Sequence, residues 1–241
     1  MRSPEDKNLL LGRLHDAYRD CERCPLARPT GRRRMNVVLG EGNPGARVMI
    51  VGESPGYYSD TTGRPMIDED GTAIINPLLE GINSSRDEVF ITTLVSCRPT
   101  AEDRPNLDRA PTKEEIRLCQ ARLHSLIDIV DPYVIITMGQ AAMKTLTGCK
   151  RTLLQVARDK TLPMLWAETP GHFVPVKRTA YATFHPGYLL KQFRDMGEDR
   201  FYAPGSDMHH TFLTFHRAFS VADQHAFMNY GTPHPDRGGT S

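Results

Sequence analysis

Apolar positions along this chain alternate between two rhythms. Near the start, Leu9, Leu10, Leu14 and Tyr18 recur at spacings of three and four, which predicts a helix running to about Asp20. A polar turn, CERCPLA, follows. RVMIVGE is a short apolar run that breaks at glycine, the pattern of a buried strand ending near Gly52. GTAIINPLLEGI returns to helical spacing, with Pro77 placed to interrupt it. EVFITTLVSC is a second strand. Thr112 and Glu115 then form a capping box at the head of APTKEEIRLCQARLHSLIDIV, the strongest helical pattern in the chain. YVIITMG is a third strand and runs directly into the helix QAAMKTLTG. TAYATFH is a fourth strand, PGYLLKQFRDM opens a helix, and DMHHTFLTFHRAFSVADQHAF forms the last one. His209, His210, His216 and His225 read as a helix face plus tail rather than a metal site, because no supporting arrangement of acids or thiols accompanies their spacing.

Strands alternating with helices predict an α/β fold, a three-layer α/β/α sandwich around a mainly parallel four-stranded sheet. Ligands of such sheets sit beyond the carboxyl ends of the strands. Three unusual stretches fall there: GESPG after the first strand, TTLVSCRPT at the end of the second, and FHPG after the fourth. With no internal repeat and no linker, residues 1–226 read as a single domain. Residues 227–241, ending in GTPHPDRGGTS, read as a disordered tail.

Composition adds limits. No stretch among the 241 residues is apolar enough to span a bilayer, and the charged start MRSPEDKNLL lacks a signal-peptide core. The expected location is therefore the cytoplasm, with no membrane partner. The net charge of +1 does not announce nucleic acid, yet it is unevenly spread. GRRRMN (31–36) is a basic block, and Lys177, Arg178, Lys191 and Arg194 form another. Each is either a solvated face or a phosphate contact. Five cysteines in such a chain argue against a disulfide framework and leave metal, catalysis or burial. Cys21 and Cys24 make a C-x-x-C, while Cys97 and Cys119 stand singly. Such a set can bind zinc or an iron–sulfur cluster; zinc sites usually bring two close pairs, so one pair leans toward a cluster. The alternative is four buried thiols. Cys149 has no evident partner.

In this order, CERC, GESPGYYSDTTGRPM, ITTLVSCRPT, DRAPTKEEIRLC, PYVIITMG and HPGYLL resemble the motifs of the iron–sulfur, or family 4, uracil-DNA glycosylases. The resemblance covers roughly Leu9 to Arg194. It implies a structural [4Fe-4S] cluster held by Cys21, Cys24, Cys97 and Cys119, and a monomer that acts on single- or double-stranded DNA. GESPG lacks the Gly-Lys-Ser/Thr ending of a phosphate loop. The resemblance makes it one wall of a pocket for a flipped base, with Gly52, Gly56, Asp60, Met66 and Thr93 as base-binding positions. His185 would donate a hydrogen bond to the departing base oxygen. At a strand-to-helix junction the helix end favours the neutral ring, which still donates once. Glu53 matches the family's glutamate, catalytic or bracing. Ser54 stands where the wider superfamily often positions a water. Arg98, Arg109 and Lys191 are the candidate DNA contacts; local ion pairs of Arg98, Arg104 and Arg109 with Glu102, Asp103 and Asp108 are the alternative. No lysine stands out as a Schiff-base nucleophile, so base removal without strand cleavage is expected.

The departures fall in the pocket. Met66 replaces the phenylalanine that stacks on uracil, and Thr93 replaces the asparagine that reads its edge. Asp68, Glu69 and Asp70 replace small or basic residues. Tyr57 and Ser59 replace acids, while Asp60 is kept. The segment AEDRPN has no histidine, so covalent capture of DNA is not carried over. The expectation is excision of a uracil-type base, 5-substituted or deaminated. The alternatives are an inactive Fe–S DNA-binding protein and an enzyme acting on hypermodified pyrimidines.

Overall fold

The computed structural model describes residues 2–27, 36–101, 104, 106–157, 164–165 and 178–230. The arginines of GRRRMN, Lys177 and residues 231–241 lie outside them. In chain order the elements are α1 (Pro4–Arg19), β1 (Glu41–Gly42), β2 (Val48–Gly52), α2 (Tyr57–Thr62), α3 (Glu69–Glu80), β3 (Phe90–Thr93), α4 (Lys113–Val130), β4 (Val134–Met138), α5 (Gln140–Thr147), α6 (Leu153–Ala157), β5 (Met164–Leu165), β6 (Thr179–Thr183), α7 (Pro186–Met196), α8 (Glu198–Phe201) and α9 (Asp207–Tyr230).

The sheet order is β1-β3-β2-β4-β6-β5. Its four central strands are parallel, as the apolar runs predict, and the two-residue strands β1 and β5 add antiparallel edges that no periodicity announced. β2 and β4 are buried at every position, so helices cover both faces of the sheet. α9 packs along β4 and β6, α3 on α7, and α1 on α4. The chain leaves β2 toward β3 on one side and β4 toward β6 on the other. The crevice between β2 and β4 is thus a switch point, where α/β sheets bind ligands. Among the described residues no helix is long and apolar enough to cross a membrane.

Local chemistry accounts for most helix ends. Ser3 caps α1, with Pro4 at its first position and Asp6 reciprocating, so the helix starts earlier than its apolar spacing suggests. α3 runs through Pro77 without a break, because a proline this close to the helix end removes only one late hydrogen bond. α9 continues to Tyr230, four residues beyond the expected domain edge. α4 starts as expected. Thr112 caps Glu115, and the Glu115 carboxylate accepts from the Thr112 amide at 2.7 Å. The same carboxylate, almost fully buried, receives both Arg109 Nη atoms at 2.9 and 2.7 Å.

That arrangement sets a pH dependence. Burial pushes the Glu115 carboxyl up, but Arg109 and the Thr112 amide outweigh it and hold the group below the usual carboxylate range. A depressed folded-state value means the stabilisation is complete above the unfolded value, about 4.3, and fades as pH falls through the folded one. Glu115→Gln keeps a capping side chain and removes the charge. It should cost about 2 kcal/mol at pH 7. The gap from wild type in thermal melts should close as the buffer is taken below pH 4; a gap unchanged by pH would refute the charge assignment.

Candidate active site

The carboxyl ends of β2 and β6 open onto a cleft of about 380 Å³. Glu53, Ser54, Pro55 and Gly56 form one wall after β2. Met66, Asp68, Asp70 and Gly71 form a second, and Asp108, Arg109 and Ala110 a third. His185 and Pro186 close it where β6 turns into α7.

His185 is the N-cap of α7, and its Nδ1 accepts a hydrogen bond from the Gly187 amide at 3.1 Å. A ring nitrogen that accepts from an amide carries no proton, so in the neutral ring the proton sits on Nε2 and the imidazole becomes a single donor. The ring lies against Gly139 at the end of β4. A Cβ there would stand 3.3 Å from the ring, and Gly139 has φ +97°, a conformation that side-chain-bearing residues rarely adopt.

Met66 is nearly buried and holds φ +52°. The surrounding groups fix that backbone. Arg86 donates to Pro65 O at 2.6 Å and Met66 O at 3.2 Å. Glu41 receives Arg86 and Arg64 together. Burial opposes ionisation of Glu41, but the two guanidiniums prevail and hold its carboxyl below the ordinary range. The Met66 Cε lies 1.9 Å from where a Cβ on Gly52 would stand, so the thioether rests on the floor of the cleft.

The acidic run is partly accounted for. Asp68 reaches back to the start of α2, accepting from the Tyr58 amide at 2.7 Å and from the Ser59 amide and hydroxyl. Glu69 pairs with Arg194 of α7. Asp70 accepts from the Gly71 amide at 2.9 Å, and its Oδ2 lies 3.1 Å from where a Gly187 side chain would begin, on the His185 side of the cleft. Among the described residues, Glu53, Asp68 and Asp70 are the cleft carboxylates outside an ion pair, and of these Asp68 is committed to the start of α2.

Several expected residues lie elsewhere. Gly52 is buried beneath Met66. Asp60 is buried in α2, where its carboxylate accepts from the Asn36 amide at 3.3 Å. Thr93 is fully buried and its hydroxyl donates to Val95 O at 2.8 Å, so that donor is committed inside the fold. Arg98 is 5% exposed, pairs with Asp108, and lies over the Tyr57 ring with its guanidinium carbon 5.2 Å from the centroid. Arg109 reaches the cleft wall but is held by Glu115. Lys191 is exposed on α7 and pairs with Asp195. Of the three cations, only Lys191 stands on open surface.

A second, small cavity is ringed by Cys21, Cys24, Cys97 and Cys119, brought together from the turn after α1, the chain beyond β3, and α4. The sulfurs do not converge to a closed ligand geometry; among the described residues no group of His, Cys, Asp or Glu does. The donor set nevertheless suits a cluster. Burial pushes the Cys24 thiol up, and its neighbours Cys119 and Cys21 push the same way, the mutual repulsion that a shared metal removes. Ser96, 3% exposed and also lining the cavity, has a hydroxyl without a hydrogen-bond partner among the described residues.

Residues 39–207 match the family model of the uracil DNA glycosylase superfamily. The chain belongs to that superfamily. It is 33% identical over 178 residues to the type-4 uracil-DNA glycosylase of Thermotoga maritima, covering 74% of this chain and 82% of that protein. It is 33% identical over 188 residues to the type-4 enzyme of Pyrobaculum aerophilum, covering 78% and 88%. Similarity to the type-4 enzyme of Sulfurisphaera tokodaii is 32% over 179 residues, covering 73% and 77%. The family expected from the motifs is the one found. Sequence reasoning within this superfamily passed over Arg86 and Glu41, which hold the Met66 loop, and Arg122, which reaches Cys119. None lies in a motif. Each works mainly through contacts far along the chain: Arg86 with Glu41, Pro65 and Met66, and Arg122 with Leu39 and the end of β3.

Proposed function

We propose that this chain is a DNA glycosylase that flips a uracil-type base into the cleft and hydrolyses its N-glycosidic bond. The observation that carries the reading is His185, held by the Gly187 amide so that Nε2 is a donor within the cleft. As the bond breaks, negative charge grows on the departing base, and a fixed donor gains strength against that charge. Positive charge grows on the sugar, where the Glu53 carboxylate is the candidate for stabilising it and for orienting water with Ser54. Met66 supplies a pliable apolar face for the base, and the Gly56 region lets backbone approach its edge. The Asp70 carboxylate can accept from a ring imide N–H. Because Thr93 is short and turned away, the pocket has room for a 5-substituted pyrimidine. DNA is the partner, with Lys191 as a phosphate contact; Arg98 and Arg109 act from within, shaping the wall.

Cys21, Cys24, Cys97 and Cys119 would hold a [4Fe-4S] cluster. When bound, it supplies a rigid link between the turn after α1 and α4. The residues of the cleft do the chemistry.

The test is incubation of anaerobically purified protein with single- and double-stranded oligonucleotides carrying one uracil, 5-hydroxymethyluracil, hypoxanthine or xanthine, followed by alkali. An abasic site at one of these bases is expected, with no strand break before alkali. Tight DNA binding without release of any base would favour the inactive DNA-binding protein instead.

A further inference from the structure

Arg122 is fully buried in α4, one turn after Cys119 and on the same face. Its Nη1 donates to Leu39 O at 3.3 Å and Thr92 Oγ1 at 3.0 Å. Its Nη2 donates to Thr93 O at 2.6 Å and Leu94 O at 3.0 Å, and lies 3.8 Å from Cys119 Sγ. Its Nε has no partner among the described residues. Carbonyls, a hydroxyl and a thiol are all it meets among the described residues; no carboxylate is included. Arginine stays charged in any protein interior, and a buried charge without a counter-charge is costly. Carbonyl dipoles solvate it in part, but no anion meets it among the described residues.

We propose that Arg122 is the buried counter-charge of the iron–sulfur cluster and the group that ties it to the floor of the base cleft. The inference rests on the cluster reading above. Four thiolates around an iron–sulfur core are net anionic. A metal-bound thiolate at Cys119 is also a far better acceptor than a thiol. Hydrogen bonds and charge near the sulfurs set both the retention and the potential of such a cluster. The same Nη2 holds the end of β3 through Thr93 O and Leu94 O, and the Leu94 amide in turn donates to Gly52 O at 3.0 Å, beneath Met66. One side chain thus joins the cluster ligand on α4 to the strand ends under the cleft.

The test compares full-length wild type, Arg122→Met and Arg122→Lys, all purified anaerobically. The readouts are iron and sulfide content, the rate of iron loss to a chelator, and the cluster's midpoint potential by voltammetry. Arg122→Met should lose iron roughly tenfold faster or more. Its potential should be more negative, because the reduced and more anionic state loses its cation. Arg122→Lys keeps the charge and should hold a potential near wild type, with intermediate iron loss because the fork to the carbonyls is gone. A residue that only braces carbonyls would speed iron loss without moving the potential, and that result overturns the proposal. If Arg122→Met yields no folded protein, Arg122→Gln, which keeps a donor without the charge, takes its place: a clearly more negative potential supports the counter-charge and one near wild type refutes it. Wild type without iron and sulfide would refute the cluster reading itself, and with it this proposal, before any variant is compared.

Discussion

Replacing His185 by alanine is expected to slow base release by roughly a hundredfold while DNA affinity stays nearly unchanged. The selectivity follows from the geometry. Nδ1 is consumed by the Gly187 amide, so what the substitution removes from the cleft is the Nε2 donor. That donor matters most when the base leaves with its charge. Alanine also removes the cap of α7, worth about 1 kcal/mol, and a loss of activity through weaker folding has to be separated from loss of chemistry. His185→Asn does this. Its side-chain oxygen can cap the same amide, but its amide group does not reach as far as the ring. Thermal stability should recover in the asparagine variant and single-turnover rates should not. Full turnover in either variant would remove His185 from the catalytic role.

Gly71→Ala should have the largest effect on stability. A Cβ at this position would stand 2.4 Å from Met66 O, 2.6 Å from Met66 C and 3.0 Å from Met66 Cα. All three are backbone atoms, and Arg86 holds that carbonyl from the other side. Nothing can rotate away, so the first turn of α3 must part from the Met66 loop, at about 3 kcal/mol. For a chain of this size that is roughly 6–12 °C in Tm. Gly52→Ala is the informative contrast. Its nearest neighbour is Met66 Cε, the far end of a flexible side chain, so the thioether can swing into the cleft. The expected result is a modest loss of Tm with weakened binding of the flipped base. If the two variants melted alike, the distinction between rigid and yielding neighbours would fail. Differential scanning calorimetry and titration with an abasic or base-analogue duplex measure the two effects.

The four parallel strands were legible because strands buried on both faces must be apolar at every position, as β2 and β4 are. α4 was legible because its cap is local: Thr112 and Glu115 are three residues apart. α2 was not, because its cap is Asp68, ten residues from Tyr58 along the chain and adjacent only after the loop folds back. β1 and β5 were not, because two residues carry no period. Pro77 was read as a break because sequence rules weigh a proline by kind, whereas its cost depends on how much helix remains beyond it.

The candidate site divides in the same way. By itself the sequence determined the α/β class, the superfamily and the strand-to-helix position of His185, and it singled out the four cysteines that meet around one small cavity. Residue type, local spacing and motif order carry all of these. Tertiary structure alone decided which side chains face the cleft. Thr93 and Asp60 turn inward, Arg98 is buried against Asp108, Asp70 faces the His185 side, and Arg122 reaches Cys119 with no carboxylate partner among the described residues. The reason is physical. A side chain's role depends on which donors, acceptors and charges surround it once distant segments pack, and those neighbours are not encoded at any fixed spacing from the residue itself.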